Sequence, residues 1–267
     1  MSLITASGLS VRYGERVALE RSDFSIPAGA RTAVIGPNGS GKSTLLSAVA
    51  GLVEPASGTV TVLGLTPHEA SSRVAYVLQS AKLNEALPVT VREVVAMGRY
   101  SSLGAFRVFG RTDREAVDSA LDRLSLTSLA NRHLSELSGG QRQRVFIAQG
   151  LVQEHSVLLL DEPSTGLDLV SEAAIESALE EERGDGCAVV VTTHDLEEAL
   201  TADHVILLAG RVVACGPPAE VLTASNLSEA YRSRILEVEG RLLLDDSAHR
   251  PAGEAHHVHL ERGSTDL

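Results

Sequence analysis

Three stretches of this sequence combine residue types suited to chemistry on phosphate. The run Gly36-Pro37-Asn38-Gly39-Ser40-Gly41-Lys42-Ser43-Thr44 has the spacing G-x-x-x-x-G-K-[ST] from Gly36 to Ser43. Glycines there let successive backbone N–H groups converge on phosphate oxygens, and a helix starting at the lysine adds positive potential. Lys42 would reach the outer phosphates, and the Ser43 hydroxyl is placed to ligate Mg²⁺. The second stretch, VLLLDEP, closes an apolar run with two carboxylates, Asp161 and Glu162. A nucleoside triphosphate needs its metal held, which suits Asp161 acting through water. It also needs an attacking water oriented and polarised, which suits Glu162. Together the two stretches predict binding and hydrolysis of a nucleoside triphosphate. The third, LSGGQRQR at 137–144, also reads as an anion site at a helix start, and one nucleotide does not account for it.

The elements that must position these residues read as α/β. RTAVIG is a strand entering the first loop, and STLLSAVAG a helix leaving it. After residue 155, SVLLLDEP and CAVVVTTH are continuously apolar strands separated by the amphipathic helix SEAAIESALEEE, and DLEEAL, HVILLAG and RVVACG follow. Such runs predict parallel strands covered on both faces, with ligands gathering at their carboxyl ends, where Asp161 and Glu162 fall. The first eighty residues add ITASGLSVRY, GTVTVLG and VAYVL as strands. From Thr90 to about Gln153 the pattern turns helical. There Thr112 and Glu115 have capping-box spacing, and Val117, Ala120, Leu121 and Leu124 share one helix face. Beyond about Asp245 the chain reads as a flexible polar tail, within which His249, His256, His257 and His259 cluster. Weak Zn²⁺ chelation and a merely solvated tail are both open for that cluster.

Composition narrows the function further. With 267 residues, 43% hydrophobic and 22% charged, the chain is expected to fold into one large domain or a domain with a subdomain. A net charge of −12 argues against sequence-independent nucleic-acid binding, which relies on Lys and Arg. No window holds the roughly 18 apolar residues of a membrane span, and the start carries no export-signal pattern, so a cytoplasmic location is expected. Cys187 and Cys215 lie in apolar, strand-like contexts and are expected to be reduced core thiols rather than disulfide or metal ligands.

Over about residues 3–225 the order of these motifs resembles the nucleotide-binding subunits of ATP-binding-cassette (ABC) transporters. That resemblance implies a P-loop core with an antiparallel β subdomain and a helical subdomain at about 88–153. It places an ATP-binding domain at 1–235 and a C-terminal extension at 236–267. It also implies ATP and Mg²⁺ as ligands. Ser138, Gly139, Gly140 and Gln141 would be the signature that contacts the γ-phosphate held by the opposite copy of a head-to-tail dimer, which accounts for the second anion site. By the same resemblance Tyr13 stacks on adenine, and Gln79 contacts Mg²⁺ or the attacking water and senses the membrane partner. Asp168 organises communication across the dimer and His194 contacts the γ-phosphate. Leu78 stands where many relatives have proline. The family works with separate membrane permeases, docked near the glutamine loop and holding the ATPase at the cytoplasmic face, and importers add an extracytoplasmic solute-binding protein. The interval from Gln79 to Ser138 has no sustained heptad pattern, which disfavours the chromosome-type relatives. MGRYSSLGAF and the helix after it resemble importers of zinc and manganese, and also those of iron–siderophore, haem or cobalamin chelates; an exporter and a soluble ABC ATPase are the remaining readings.

Overall fold

The computed structural model describes residues 2–78, 88–100, 108–164 and 167–231, with the backbone of two further strands, β10 (Ile235–Val238) and β11 (Arg241–Leu244), paired as an antiparallel hairpin. Gln79 and the tail histidines lie outside the described residues.

Strand side chains alternate between the two faces of a sheet, and β6 (Val157–Asp161) feeds two cores in this way. Leu158 and Leu160 pack with helices on one side, Val157 and Leu159 with the opposite side. β7 (Ala188–Thr193) does the same with Val189 and Val191 against Val190. Burial on both faces is why these strands read as unbroken apolar runs. They sit in a six-stranded sheet of order β5-β6-β7-β3-β8-β9, with β5 (Val74–Val77), β3 (Arg31–Ile35), β8 (His204–Leu208) and β9 (Val212–Gly216). Its first five strands are parallel, and β9 returns antiparallel to β8.

On one face of the sheet lies α1 (Lys42–Val49), roofed by an antiparallel sheet of order β2-β1-β4. These strands are β1 (Ser2–Tyr13), β2 (Arg16–Pro27) and β4 (Ser57–Val62). Leu45, Leu46 and Val49 of the helix share a core with Ile4, Leu9, Leu19, Ile26 and Val60 of the roof. The sequence pattern did not expose β2. Its side chains follow no clean alternation, because the β1–β2 register shifts repeatedly and only part of one face is covered. A short helix, α2 (Pro67–Ala70), follows the roof and is capped by Thr66 and Glu69.

The other face is covered by α3 (Val91–Met97), α4 (Arg111–Arg123), α5 (Gly139–Leu151) and α6 (Leu169–Gly184), which contribute Val95, Leu121, Ile147 and Ile175 to one core. The start of α4 differs from the expected Thr112–Glu115 box. Gly110 is the cap residue, and its N–H donates to Asp113 at 2.8 Å; Glu115 instead pairs with Arg111 at 2.7 Å. Asp113 is drawn into this position by a tertiary partner, since Arg99 Nε donates to it at 3.0 Å while Arg99 Nη1 donates to the Val152 carbonyl at 3.1 Å. Arg99 and Asp113 are 5% and 1% exposed, so this ion pair ties the ends of three helices inside the protein. Asp113→Ala should therefore lower unfolding free energy by about 3–5 kcal/mol, as expected when one partner of a buried pair is removed. Urea titration reads this directly, and a loss below about 1 kcal/mol would show that the pair does not tie the helices.

The remaining helices, α7 (Leu196–Thr201), α8 (Pro218–Val221) and α9 (Ala224–Tyr231), lie with Ala33, Ile35, Val205 and Leu207 of β3 and β8 in a third core. Among the described residues no helix is long and apolar enough to cross a membrane.

Candidate nucleotide-binding site

The phosphate loop leaves β3 at Ile35 and enters α1 at Lys42, with Gly41 as the helix cap. Gly39 and Gly41 have φ of +78° and +103°, a region closed to most side chains. At Gly36 a Cβ would lie 2.2 Å from the Leu208 carbonyl oxygen, so the loop rests directly on the end of β8. The first turn of α1 carries no acidic residue, which leaves its N–H groups and partial positive charge available to an anion. Lys42 is only 6% exposed, and its ammonium curls back to donate to the Gly36 carbonyl at 2.9 Å. The groove over the loop is lined by Asn38 through Thr44 together with Arg16, Glu162 and the half-exposed Tyr13 at the end of β1.

Asp161 is the last residue of β6 and is 7% exposed. Thr192, beside it on β7, donates its hydroxyl to Asp161 Oδ1 at 2.6 Å and accepts the Glu162 N–H at 2.8 Å. One threonine thus fixes both carboxylate residues. The sequence signal for it was a polar residue breaking the apolar run CAVVVTTH, and it was not singled out. Burial, and next the Asp161 carboxylate, push the Tyr76 hydroxyl up to about 12. Glu162 has φ +48°, uncommon for a residue with a side chain. Its Oε1 lies 3.8 Å from Lys42 Nζ. Glu162 also lines an adjoining groove with Ser164, Thr193 and the exposed His194, just past β7. The Ser43 hydroxyl and the Asp161 carboxylate are hard oxygen donors, a set that fits Mg²⁺.

Ser138 to Gln141 form a separate cluster. Ser138 caps α5 by accepting the Gln141 N–H at 3.3 Å, while Gln141 Oε1 accepts the Ser138 N–H at 3.0 Å. Gly140 faces α6: a Cβ there would lie 2.8 Å from Ser171 Oγ and 3.6 Å from Asp168 Oδ2. Asp168 caps α6 by accepting the Ser171 N–H at 2.7 Å, which holds its carboxyl below the usual range. At Gly139, by contrast, a Cβ would meet nothing within 4 Å among the described residues. None of Ser138 to Gln141 is among the described residues lining the phosphate-loop groove.

A glycine-rich loop at the carboxyl edge of a largely parallel sheet, faced by a buried aspartate and a neighbouring glutamate, defines a P-loop nucleoside triphosphatase. The sequence profile of the ABC transporter family matches residues 19–165, and the chain belongs to that family as an ATP-hydrolysing subunit. It is 39% identical over 232 residues to the manganese transport system ATP-binding protein MntA of Synechocystis, with 85% of this chain and 89% of that protein covered. Identity is 40% over 233 residues to the zinc transport system ATP-binding protein TroB of Treponema pallidum, covering 87% of this chain and 88% of the relative. Among solved structures, a chain of an ABC transporter ascribed to the metal-chelate type, in an inward-facing conformation, matches with a TM-score of 0.76 at 28% identity over 91% of this chain and 96% of that one. The fold implied by the motif order, a P-loop core with antiparallel β and helical parts, is the fold observed.

Proposed function

We propose that two copies of this chain enclose two ATP molecules head to tail, and that their closure drives import of Zn²⁺ or Mn²⁺ through a separate membrane permease. The observation that carries the dimer is the open space at Gly139, outside the chain's own nucleotide groove. Among the described residues nothing within one copy needs a glycine there, and close approach of a nucleotide presented by a second copy would account for it.

Each residue then has a task. Tyr13 offers its ring to adenine, the loop from Gly36 to Thr44 wraps the phosphates, and Lys42 exchanges the Gly36 carbonyl for phosphate oxygen. Ser43 and Asp161, with Gln79, would hold Mg²⁺, which when bound neutralises phosphate charge. Glu162 orients the attacking water and accepts its proton, and His194 reaches the γ-phosphate from the adjoining groove. From the second copy, Ser138 to Gln141 close over the nucleotide, and Asp168 links that cluster to α6. Gly139→Val should leave thermal stability within about 1 kcal/mol of native, as its Cβ site is open. ATP turnover should fall by about tenfold or more, equivalent to about 1.4 kcal/mol of barrier. Native turnover in this variant would remove the signature from the nucleotide.

Metal cargo is supported by the manganese and zinc transport relatives. A second reading, import of a metal chelate, is favoured by the metal-chelate type structure. Either would use an extracytoplasmic solute-binding protein and hold the ATPase against the cytoplasmic face, with the permease docked on the α3–α4 region. Uptake of labelled Zn²⁺, Mn²⁺ and ferric chelates decides between them, in cells lacking the chain and complemented with the native protein or Glu162→Gln. Loss of free-metal uptake restored only by the native form is the expected result. Loss confined to chelates would establish the second reading, and unchanged uptake of all three would overturn import of either kind.

A further inference from the structure

At the opposite end of β6 from the nucleotide, three residues that the mechanism does not use come together. His155 lies in the turn between α5 and β6, Glu182 near the end of α6, and Cys187 just before β7. One ligand atom from each, an imidazole nitrogen, a carboxylate oxygen and the thiol sulfur, lie within 4.8 Å of one another. A tetrahedral cation with bonds of about 2.0–2.3 Å holds its ligands roughly 3.3–3.7 Å apart, so small side-chain rotations suffice. We propose that His155, Glu182 and Cys187 bind a thiophilic divalent cation of the Zn²⁺ class, with a fourth position open to water.

The surroundings already orient each ligand. His155 Nδ1 lies 2.9 Å from the Gln153 carbonyl, which fixes the N–H there and turns Nε2 inward, as a ligating histidine requires. Nε2 forms a 3.1 Å ion pair with Glu182 Oε2, and a cation binding between the two displaces the imidazole proton; the imidazole side chain is only 4% exposed. The other oxygen of Glu182 is held by Arg123 at 2.7 Å, leaving Oε2 for the cation. Cys187 is a buried free thiol that interacts with the His155 imidazole and makes a long contact to the Ala188 carbonyl at 3.6 Å. A groove lined by Arg73, Gln153, Ser156 and Asp185 opens beside the cluster and gives water access. A doubly charged cation here is matched by the Glu182 carboxylate and the Cys187 thiolate, while the adjoining Arg123 is matched by Glu181. Sulfur and imidazole favour Zn²⁺ over Mn²⁺. Cys187 is a free thiol in the core, as expected; a ligand role would be added to that, and the site stands whatever cargo the transporter carries.

Titration of the reduced, metal-stripped full-length chain with Co²⁺ tests this, because only a sulfur ligand gives a thiolate-to-cobalt charge-transfer band. Expected are a band saturating at one Co²⁺ per chain, its displacement by Zn²⁺ and not by equimolar Mn²⁺, its loss in Cys187→Ser, and its retention in Cys215→Ser. Arg123→Gln should weaken Zn²⁺ binding by about 10- to 100-fold while the band persists at saturation, as removing a group that orients a ligand does. Circular dichroism of each variant establishes that the fold is intact, and ATP turnover of Cys187→Ser at the native level separates this site from the catalytic one. Absence of the band in the native chain, its survival in Cys187→Ser, or cobalt bound through nitrogen alone, as the tail histidines would do, overturns the proposal.

Discussion

Glu162→Gln should bind ATP with near-native affinity and hydrolyse it about 10²- to 10⁴-fold more slowly, the loss that follows removal of a positioned general base. The amide keeps the size of the carboxylate and leaves the backbone hydrogen bond from residue 162 to Thr192 in place, so the fold should not change. What it loses is the ability to take a proton from water beside Lys42 and the phosphate loop. With closure intact and hydrolysis blocked, ATP should shift the protein to twice its mass on size-exclusion chromatography. ATPase assay and chromatography together separate the two parts of this expectation. Turnover at the native rate would place the base elsewhere, and slow turnover without dimer accumulation would keep the base but remove the shared site.

Lys42→Ala should be nearly as damaging by a different route. The ammonium is the cation of the phosphate loop itself, is buried, and has its hydrogen-bond partner within the loop. Removing a preorganised charge aimed at phosphate costs on the order of 10²–10³ in turnover, and here ATP affinity should fall as well, because the same contact acts in the ground state. Lys42→Arg should not rescue, since the planar guanidinium needs more space than a loop resting on β8 provides. Fluorescent-nucleotide binding distinguishes this variant from Glu162→Gln. Weakened binding is expected only for Lys42→Ala, and unchanged affinity would mean that the ammonium does not contact ground-state ATP.

Much of this was legible because the relevant physics is local. A phosphate loop needs its glycines, lysine and serine within one turn, so Gly36 to Ser43 declare themselves by spacing alone. β6 and β7 were visible as apolar runs because both faces are buried. What escaped depended on partners distant in sequence. The start of α4 fell two residues from its expected place because Asp113 answers to Arg99. Thr192 gained meaning only when β7 set it beside Asp161. β2 was hidden by its register shifts. The convergence of His155, Glu182 and Cys187 depends on how the turn before β6, the end of α6 and the residue before β7 meet, which no spacing rule encodes.

The left-handed backbone at Glu162 places two physical demands in opposition at one residue. Holding a side-chain-bearing residue in that region costs about 1–2 kcal/mol, a sizeable share of the few kcal/mol by which a domain stays folded. Glycine or asparagine at this position would relieve that cost and remove the carboxylate as it did so. A carboxylate at this position thus sets backbone ease against the chemistry proposed for it.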